Sequence, residues 1–227
     1  MISQNGFLLS FIKYGENDAV LHCFMKEDGY QSYFLKGIYS KKNKKKSFLL
    51  PLNKLNFTIK SGRNNSIKTV SSFETIEILD LYTNIKANTV VFFVADFLNQ
   101  ILRNEHKNLQ IYNTIEEFLH ELNNQNYRSH FIFLIKILKI HGLAPLLSNE
   151  EYLNPENGTF TNVLSNHLFE VEISNLWKEI LTSENSYEIK ISSHLRKKLL
   201  DSILLYYHYH FTDFKTPVSL EIVQQLF

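Results

Sequence analysis

The amino-terminal fold is predicted first from residues 19–46, which read AVLHCFMKEDGYQSYFLKGIYSKKNKKK. Residues 19–25 predict a β-strand, because turn-forming residues at positions 27–29 end an apolar run. Residues 31–39 predict the next strand, with Gly37 as a β-bulge or a point of close backbone approach. Two successive strands followed by a lysine-rich loop are therefore expected here.

Three further strands are predicted on either side of this segment. Residues 7–13 form a β-rich run before it, and residues 67–73 form another after a turn at 61–65. Between them, residues 55–60 alternate apolar and polar side chains, which is the pattern of a half-buried strand. Five short antiparallel strands predict a small closed barrel such as an OB-fold, since closure removes the sheet edges. A sandwich fragment and an SH3-like barrel fit the same pattern.

Apolar residues recur at helical spacing from about residue 80 onwards. The segments with this spacing are 90–101, 111–122, 131–143, 176–181, 195–207 and 219–226. Residues 149–171 lack a period and predict a small irregular insert. The predicted fold class is thus α+β and multi-domain, with an OB-fold β-barrel at 1–79 and an all-α helical domain at 80–227.

The composition favours an intracellular globular protein. The chain has 227 residues, of which 44% are hydrophobic and 21% charged, so it has enough apolar residues for a core. Cys23 is the only cysteine, which excludes an intrachain disulfide and a cysteine-based zinc site. We expect no signal peptide, and the apolar residues 89–97 are too few to cross a bilayer. A cytoplasmic location is expected.

The net charge of +1 hides an asymmetry between the two parts of the chain. Residues 1–78 carry 12 Lys/Arg and 6 Asp/Glu, a balance of +6, whereas residues 79–227 carry 12 and 17, a balance of −5. A nearly neutral protein with one basic end indicates a localised site for a polyanion. Compositional bias of a Lys/Asn-rich protein explains the same asymmetry, and charge alone leaves both explanations open.

The strongest local feature is the series Lys41, Lys42, Lys44, Lys45 and Lys46, five lysines in six positions. Charges this dense repel one another and are expected to keep a loop extended and solvated. A DNA backbone would relieve the repulsion by releasing its condensed counterions, so that the affinity would fall steeply with salt. A loop that only improves solubility is the alternative.

Aromatic residues close to this series favour nucleic acid. Tyr30, Tyr33, Phe34 and Tyr39 surround Lys36, and single-strand binders combine a basic groove with rings on which bases stack. Strand alternation puts Tyr33 on the face opposite Phe34 and Lys36, so at least one ring is expected in the core. The predicted nucleic-acid-binding residues are Lys36, Lys41, Lys42, Lys44, Lys45, Lys46, Tyr39, Arg63 and Lys68.

Enzymatic chemistry has little support in the sequence. It contains no Gly-rich phosphate loop, no HExxH and no Gly-x-Ser-x-Gly motif. His208 and His210 are two positions apart on a predicted helix and so point about 200° from each other, which does not suit a shared metal. Cys23 lies in an apolar predicted strand and is expected to be a buried, inert thiol. No catalytic residue, metal site or cofactor is predicted.

One helix carries a candidate protein-binding stripe. Arg128, Lys136 and Lys139 fall on neighbouring faces of the predicted helix, with Ile132 and Ile135 beside them. A basic edge next to an apolar groove suits an acidic peptide tail with an aromatic end. An ordinary amphipathic helix with a solvated flank gives the same pattern.

Several stretches, in the same order along the chain, resemble the RecO family. They are KYGEND (13–18), FLKG (34–37), LPL (50–52), FIFLIKILKIHGLAP (131–145), NGTF (157–160), LLYYHYH (204–210) and SLEIV (219–223). The resemblance covers nearly the whole chain, and most of its weight comes from the order of the motifs. Some members carry a four-cysteine zinc module in the insert, and this chain lacks those cysteines, so the resemblance implies no zinc here.

The resemblance implies a mediator of recombinational repair. Such proteins bind single- and double-stranded DNA, anneal complementary strands and bind the acidic C-terminal tail of single-stranded-DNA-binding protein. They also join RecR to help load RecA, and they catalyse no bond chemistry. A protein scaffold that leaves DNA alone and an OB-fold protein that binds RNA are the alternatives.

Overall fold

The computed structural model describes residues 1–60, 67–77 and 80–225, so the predicted turn at 61–65, with Arg63, lies outside the described residues. The chain divides into two compact units. The first comprises Met1–Tyr112 and Pro217–Ser219, and the second comprises Asn113–Thr216 and Leu220–Phe227. The domain boundary predicted between residues 79 and 80 stays a prediction.

The first unit contains a closed five-stranded barrel, which confirms the predicted OB-like fold. Its strands are β1 (Ile2–Tyr14), β2 (Asp18–Met25), β3 (Gly29–Leu35), β4 (Lys54–Lys60) and β5 (Lys68–Thr75). They follow the order β1-β2-β3-β5-β4 around the barrel. The expectation of a wholly antiparallel sheet is wrong for one pairing, because β3 and β5 run parallel.

Strand alternation fills the interior of the barrel. Leu55, Phe57 and Ile59 of β4 are buried, as their period-2 spacing predicted. Tyr33 of β3 is fully buried, and its ring stacks at 6.1 Å, centroid to centroid, on that of Phe57. Burying each such side chain stabilises the fold by roughly 1.5–3 kcal/mol.

The third strand ends earlier than the sequence predicted, at Leu35 rather than at residue 39. Gly37 has a φ of +68° and begins a series of turns, so it is a turn residue and not a bulge. A Cβ built on it would meet no atom within 4 Å, so no close backbone approach requires glycine here. Glycine is favoured at this position because of the positive φ, a conformation that residues with a Cβ disfavour.

Six α-helices are described outside the barrel. They are α1 (Ile85–Ile101), α2 (Leu109–Asn123), α3 (Ser129–Ile140), α4 (Val171–Thr182), α5 (Ser193–His210) and α6 (Leu220–Gln224). The side chain of Asn84 caps α1 by accepting hydrogen bonds from the amides of Lys86 and Ala87. None of the helices within the described ranges combines the length and apolarity that a membrane span requires.

The core of the second unit is built around Trp177 on α4. Its indole Nε1 donates to Ser202 Oγ at 3.0 Å, and Ser202 Oγ donates to the carbonyl of Leu199 at 2.7 Å. Tyr207 on α5 is also buried and donates to the carbonyl of Leu134 on α3 at 2.7 Å. Hydrogen bonds of this kind join the helices that the apolar periodicity predicted.

The predicted irregular insert contains a short hairpin. Strands β6 (Tyr152–Asn154) and β7 (Thr159–Thr161) pair antiparallel, with Leu153 opposite Phe160 and both buried. Three-residue strands are too short for an alternating pattern to become visible in the sequence, which explains why the hairpin was not predicted.

Candidate nucleic-acid interface

The lysine-rich residues 40–46, hereafter the lysine segment, form an ordered turn. The expected extended loop is absent in this part of the structure: turns at residues 36–42 lead into a 3₁₀ helix at Lys45–Phe48. Asn43 holds the segment together, since its Nδ2 donates to the carbonyl of Gly37 at 3.1 Å and its Oδ1 accepts from the amide of Lys45 at 2.9 Å. Ser40 Oγ also donates to the Gly37 carbonyl, at 2.8 Å.

The five lysines of this segment are all exposed. Within residues 1–60, 67–77 and 80–225, no carboxylate forms a salt bridge with any of them. Lys45 is the one whose ammonium binds the barrel, because its Nζ donates to the carbonyl of Phe73 at 2.9 Å. Lys41, Lys42 and Lys44 point their charges to solvent, where counterions or a polyanion must neutralise them.

Tyr39 lies beneath the end of the segment. Its ring is half-buried and packs against the barrel core. The Nζ of Lys46 lies 4.9 Å from the ring centroid, and the Nζ of Lys13 on β1 lies 5.6 Å from it. Both distances are within the range of a cation–π contact. Sequence reasoning missed Lys13, since its place beside Tyr39 depends on strand pairing.

The other predicted residues occupy different surroundings. Lys36 is exposed just after β3. Lys68 begins β5 and pairs with Asp28 at 3.5 Å, so its charge is already partly neutralised. Arg63 lies outside the described residues. The lysine segment and Lys36 thus share one short stretch of chain, whereas Lys68 has a carboxylate neighbour.

The aromatic residues separate into core and surface. Tyr33 belongs to the core, which confirms that at least one ring of this group is internal. Tyr30 is half-buried, and its hydroxyl donates to Asn99 Oδ1 at 3.0 Å. Phe34 is half-buried on the outer wall, where its ring meets that of Tyr14 edge-on at 5.6 Å. Tyr14 is 61% exposed, which is the largest exposed fraction of any aromatic residue in the described part of the chain.

An apolar row on the outer barrel wall accompanies these two rings. The register places Ile12 of β1 opposite Val20 of β2, and Val20 opposite Phe34 of β3. Ile12 is 60% exposed. Alternation along β1, which puts Ile12 and Tyr14 on one face, was the signal in the sequence that would have found this row.

A second polar group lies on the outer wall of strands β2 and β3. His22 Nδ1 and Ser32 Oγ share a hydrogen bond of 2.9 Å, and the His22 ring stacks at 6.1 Å on that of Tyr30. Burial and the nearby guanidinium of Arg103 lower the pKa of His22. The His22 imidazole therefore favours the neutral form. The positive charge of this group of residues is that of the Arg103 guanidinium.

The three residues of the predicted protein-binding stripe differ in exposure. Lys136 binds both carboxylate oxygens of Glu117, at 2.8 and 2.9 Å, and its Nζ lies 4.2 Å from the Tyr187 ring centroid. Lys139 is exposed, and Arg128 precedes the first turn of α3. Ile132 and Ile135 are both buried and so do not line a surface groove.

His208, His210 and Cys23 have ordinary structural surroundings. His208 Nε2 lies 3.1 Å from Thr216 Oγ1, and His210 Nε2 lies 2.8 Å from the carbonyl of Pro155. Burial raises the pKa of the Cys23 thiol, which disfavours the reactive thiolate. In the part of the chain that the structure describes, no three His, Cys, Asp or Glu residues are grouped as metal ligands would be.

Comparison with known families identifies the chain's relatives. A model of the recombination protein O N-terminal domain matches residues 1–79, and one of the recombination protein O C-terminal domain matches residues 82–156. The chain belongs to the RecO family. The first match covers the barrel with the lysine segment, and the second covers helices α1 to α3 and the start of the insert.

Curated relatives extend this RecO-family similarity over the whole chain. The DNA repair protein RecO of Flavobacterium psychrophilum is 29% identical over 238 residues, covering 100% of this chain and 99% of the relative. That of Flavobacterium johnsoniae is 25% identical over 234 residues, with 100% and 99% covered. That of Azobacteroides pseudotrichonymphae is 25% identical over 228 residues, with 95% of each covered. This RecO-family chain is accordingly a DNA repair protein.

Proposed function

We propose that this protein is a recombination mediator that binds the backbone of single- and double-stranded DNA through the lysine segment. The observation that carries the proposal is the presence of five exposed lysines on an ordered turn, with the ammonium groups of Lys41, Lys42 and Lys44 directed to solvent. Because the turn is already folded, binding would require little further ordering of the backbone.

The chemistry of the segment favours affinity without sequence specificity. Ammonium groups that contact phosphates release condensed counterions, and these contacts carry no information about base sequence. The exposed ring of Tyr14, beside Phe34, offers an additional stacking surface to unpaired bases. Base stacking contributes about 1–3 kcal/mol per base, so a single strand would gain contacts that a duplex cannot make.

The wider role that we propose follows the RecO family. The protein would anneal complementary strands and, together with RecR and the acidic C-terminal tail of single-stranded-DNA-binding protein, promote RecA loading indirectly. It would act in the cytoplasm, without a cofactor and without catalysing bond chemistry. On the second unit, Lys139 is the stripe residue most open to an acidic tail, with Arg128 also near the surface.

Two matched triple variants test DNA binding. In the first, Lys41, Lys42 and Lys44 become Gln; in the control, three exposed lysines elsewhere, Lys86, Lys190 and Lys197, become Gln. Both variants lose the same charge. Fluorescence anisotropy with a labelled thymine oligonucleotide between about 50 and 200 mM salt measures the affinity.

We expect the first variant to flatten the plot of log affinity against log salt by about 2, at about 0.7 per lost single-strand phosphate contact. The control variant should keep the slope of the unmodified protein. Absence of binding by the unmodified protein at low salt would instead favour a scaffold that leaves DNA alone. Preference for RNA over DNA of the same sequence would favour an RNA-binding role.

A labelled acidic peptide with an aromatic end tests the partner site on the helical unit. Lys139→Glu should weaken peptide binding because it reverses an exposed charge. Lys190→Glu, which makes the same reversal on the same unit, should leave binding unchanged. Equal binding by both variants would remove the α3 stripe from the proposal.

A further inference from the structure

Lys13 and Lys46 meet at Tyr39 from two separate parts of the chain. Lys13 is on β1 and Lys46 is in the 3₁₀ helix of the lysine segment, yet their Nζ atoms lie 5.6 and 4.9 Å from the same ring centroid. Both side chains are exposed, and no carboxylate in the described ranges forms a salt bridge with either. Two exposed ammonium groups thus approach the same aromatic ring.

The barrel register explains how Lys13 reaches this position. Lys13 pairs with Ala19, and Ala19 pairs with Leu35, both of which are buried. Lys13 therefore belongs to the inward-facing row of its strand, where its long side chain leaves the barrel at the end of β1. Its neighbours Ile12 and Tyr14 belong to the outer wall instead.

Two hydrogen bonds donated by the backbone amides of Gly37 and Tyr39 fix Tyr39 against the same end of the barrel. The amide of Tyr39 donates to the carbonyl of Asn17 at 2.9 Å, and the amide of Gly37 donates to Asp18 Oδ1 at 2.7 Å. The turn between β1 and β2 is thereby joined to the start of the lysine segment. The ring also packs against the barrel core, so its position does not depend on the two lysines.

We propose that Lys13, Lys46 and Tyr39 form a phosphate-binding clamp, in which the two ammonium groups contact the DNA backbone and Tyr39 positions them. Like charges repel each other, and a backbone phosphate near both ammonium groups would offset that repulsion. An aromatic ring attracts ammonium groups through its negative faces. Tyr39 is thus a positioning residue rather than a residue on which a base stacks.

The clamp rests on the proposed DNA binding. The salt dependence of the affinity distinguishes a phosphate contact, which the clamp requires, from stacking of a base on Tyr39. A phosphate contact contributes about 0.7 to the slope of log affinity against log salt on a single strand, whereas stacking is not a counterion effect. Removing a phosphate contact therefore flattens the slope. Removing a stacked ring lowers the affinity equally at every salt concentration.

The experiment measures anisotropy of a labelled thymine oligonucleotide with the full chain and four variants. Lys13→Gln should flatten the slope by about 0.7. Tyr39→Leu should flatten it as well, while Tyr39→Phe, which keeps the ring, should behave like the unmodified protein. Lys107→Gln is the matched control, because Glu27 already pairs with Lys107.

Three results would overturn the clamp. Lys13→Gln with an unchanged slope would remove Lys13 from the interface. Tyr39→Leu with lower affinity but an unchanged slope would make Tyr39 a stacking residue. A circular dichroism melt checks that this variant is folded. Lys13→Gln tests the clamp independently, because it does not alter the core. Absence of binding by the unmodified protein would refute the proposed function itself, and the clamp with it.

Discussion

The backbone amide of Gly37 donates a 2.7 Å hydrogen bond to the Oδ1 atom of Asp18, across 19 residues of sequence. This bond joins the first residue of β2 to the turn that precedes the lysine segment. Hydrogen bonds to charged groups contribute about 1.5–3 kcal/mol, so the pair is a substantial part of what holds the segment in place.

Replacement of Asp18 should therefore destabilise the first unit. We expect Asp18→Ala to lower the free energy of unfolding by about 1–2 kcal/mol, and Asp18→Asn, which keeps an acceptor oxygen, to lower it by less. Glu16→Ala removes an exposed carboxylate from the same turn and serves as the control. Urea unfolding measures all three, and equal stability of Asp18→Ala and the unmodified protein would show that the bond contributes nothing.

Two glycines with positive φ should differ sharply in their tolerance of alanine. A Cβ added to Gly37, at φ +68°, would meet only open space, so Gly37→Ala should cost about 1–2 kcal/mol from the backbone conformation alone. Gly29, at φ +70°, would place its Cβ against the backbone of Glu105 and His106. Gly29→Ala should thus cost clearly more. Thermal melting of the two variants compares them, and similar melting temperatures would contradict the packing at Gly29.

His130 predicts a specific loss of stability in acid. Burial lowers the pKa of its ring from 6.5 to about 4. Between about pH 6.5 and pH 4, His130 is protonated in the unfolded chain but neutral in the folded chain. The free energy of unfolding is therefore highest above pH 6.5 and decreases as the pH falls below it. The loss approaches roughly 3 kcal/mol at 1.36 kcal/mol per pH unit.

Urea unfolding at several pH values between 4 and 7 checks this behaviour. His130→Asn should remove the pH dependence that this residue contributes, whereas replacement of the exposed His194 by Asn should preserve it. If His130→Asn and the unmodified protein lose stability in parallel as the pH falls, another group is responsible.

The hydrogen bond between Trp177 and Ser202 makes a prediction for the second unit. Ser202→Ala would leave the buried indole N–H without the acceptor that it has at 3.0 Å. A buried donor left unsatisfied costs about 1–3 kcal/mol. Ser193→Ala, at an exposed position of the same helix, should cost less than about 0.5 kcal/mol. Chemical unfolding that ranked the two variants equally would contradict this role for Ser202.

The sequence predicted those features that depend on local periodicity. The alternation in residues 55–60 identified β4, and the apolar spacing identified α1, α2, α3 and α5. The parallel pairing of β3 and β5 was not predictable in this way, because it joins segments that are far apart in sequence. The sequence of a single strand does not indicate which strand it pairs with, or whether that pairing is parallel or antiparallel.

In the candidate interface, too, local features were predictable from the sequence, whereas contacts between distant residues were not. The density of lysines at residues 41–46 made the basic surface visible in the sequence. The place of Lys13 beside Tyr39 and the ordering of the segment by Asn43 both depend on contacts between distant residues. Likewise, local helical spacing put Lys136 on a basic stripe, but only tertiary packing reveals its ion pair with Glu117, 19 residues away.

Chemical crosslinking tests whether DNA binds through the lysine segment. An oligonucleotide that carries an aldehyde, treated with cyanoborohydride, captures lysine amines within its reach, and peptide mapping of the full chain identifies them. We expect capture that is concentrated at Lys41, Lys42 and Lys44 and is lost at high salt. Capture spread evenly over the lysines of both units, or concentrated in residues 113–216, would contradict it.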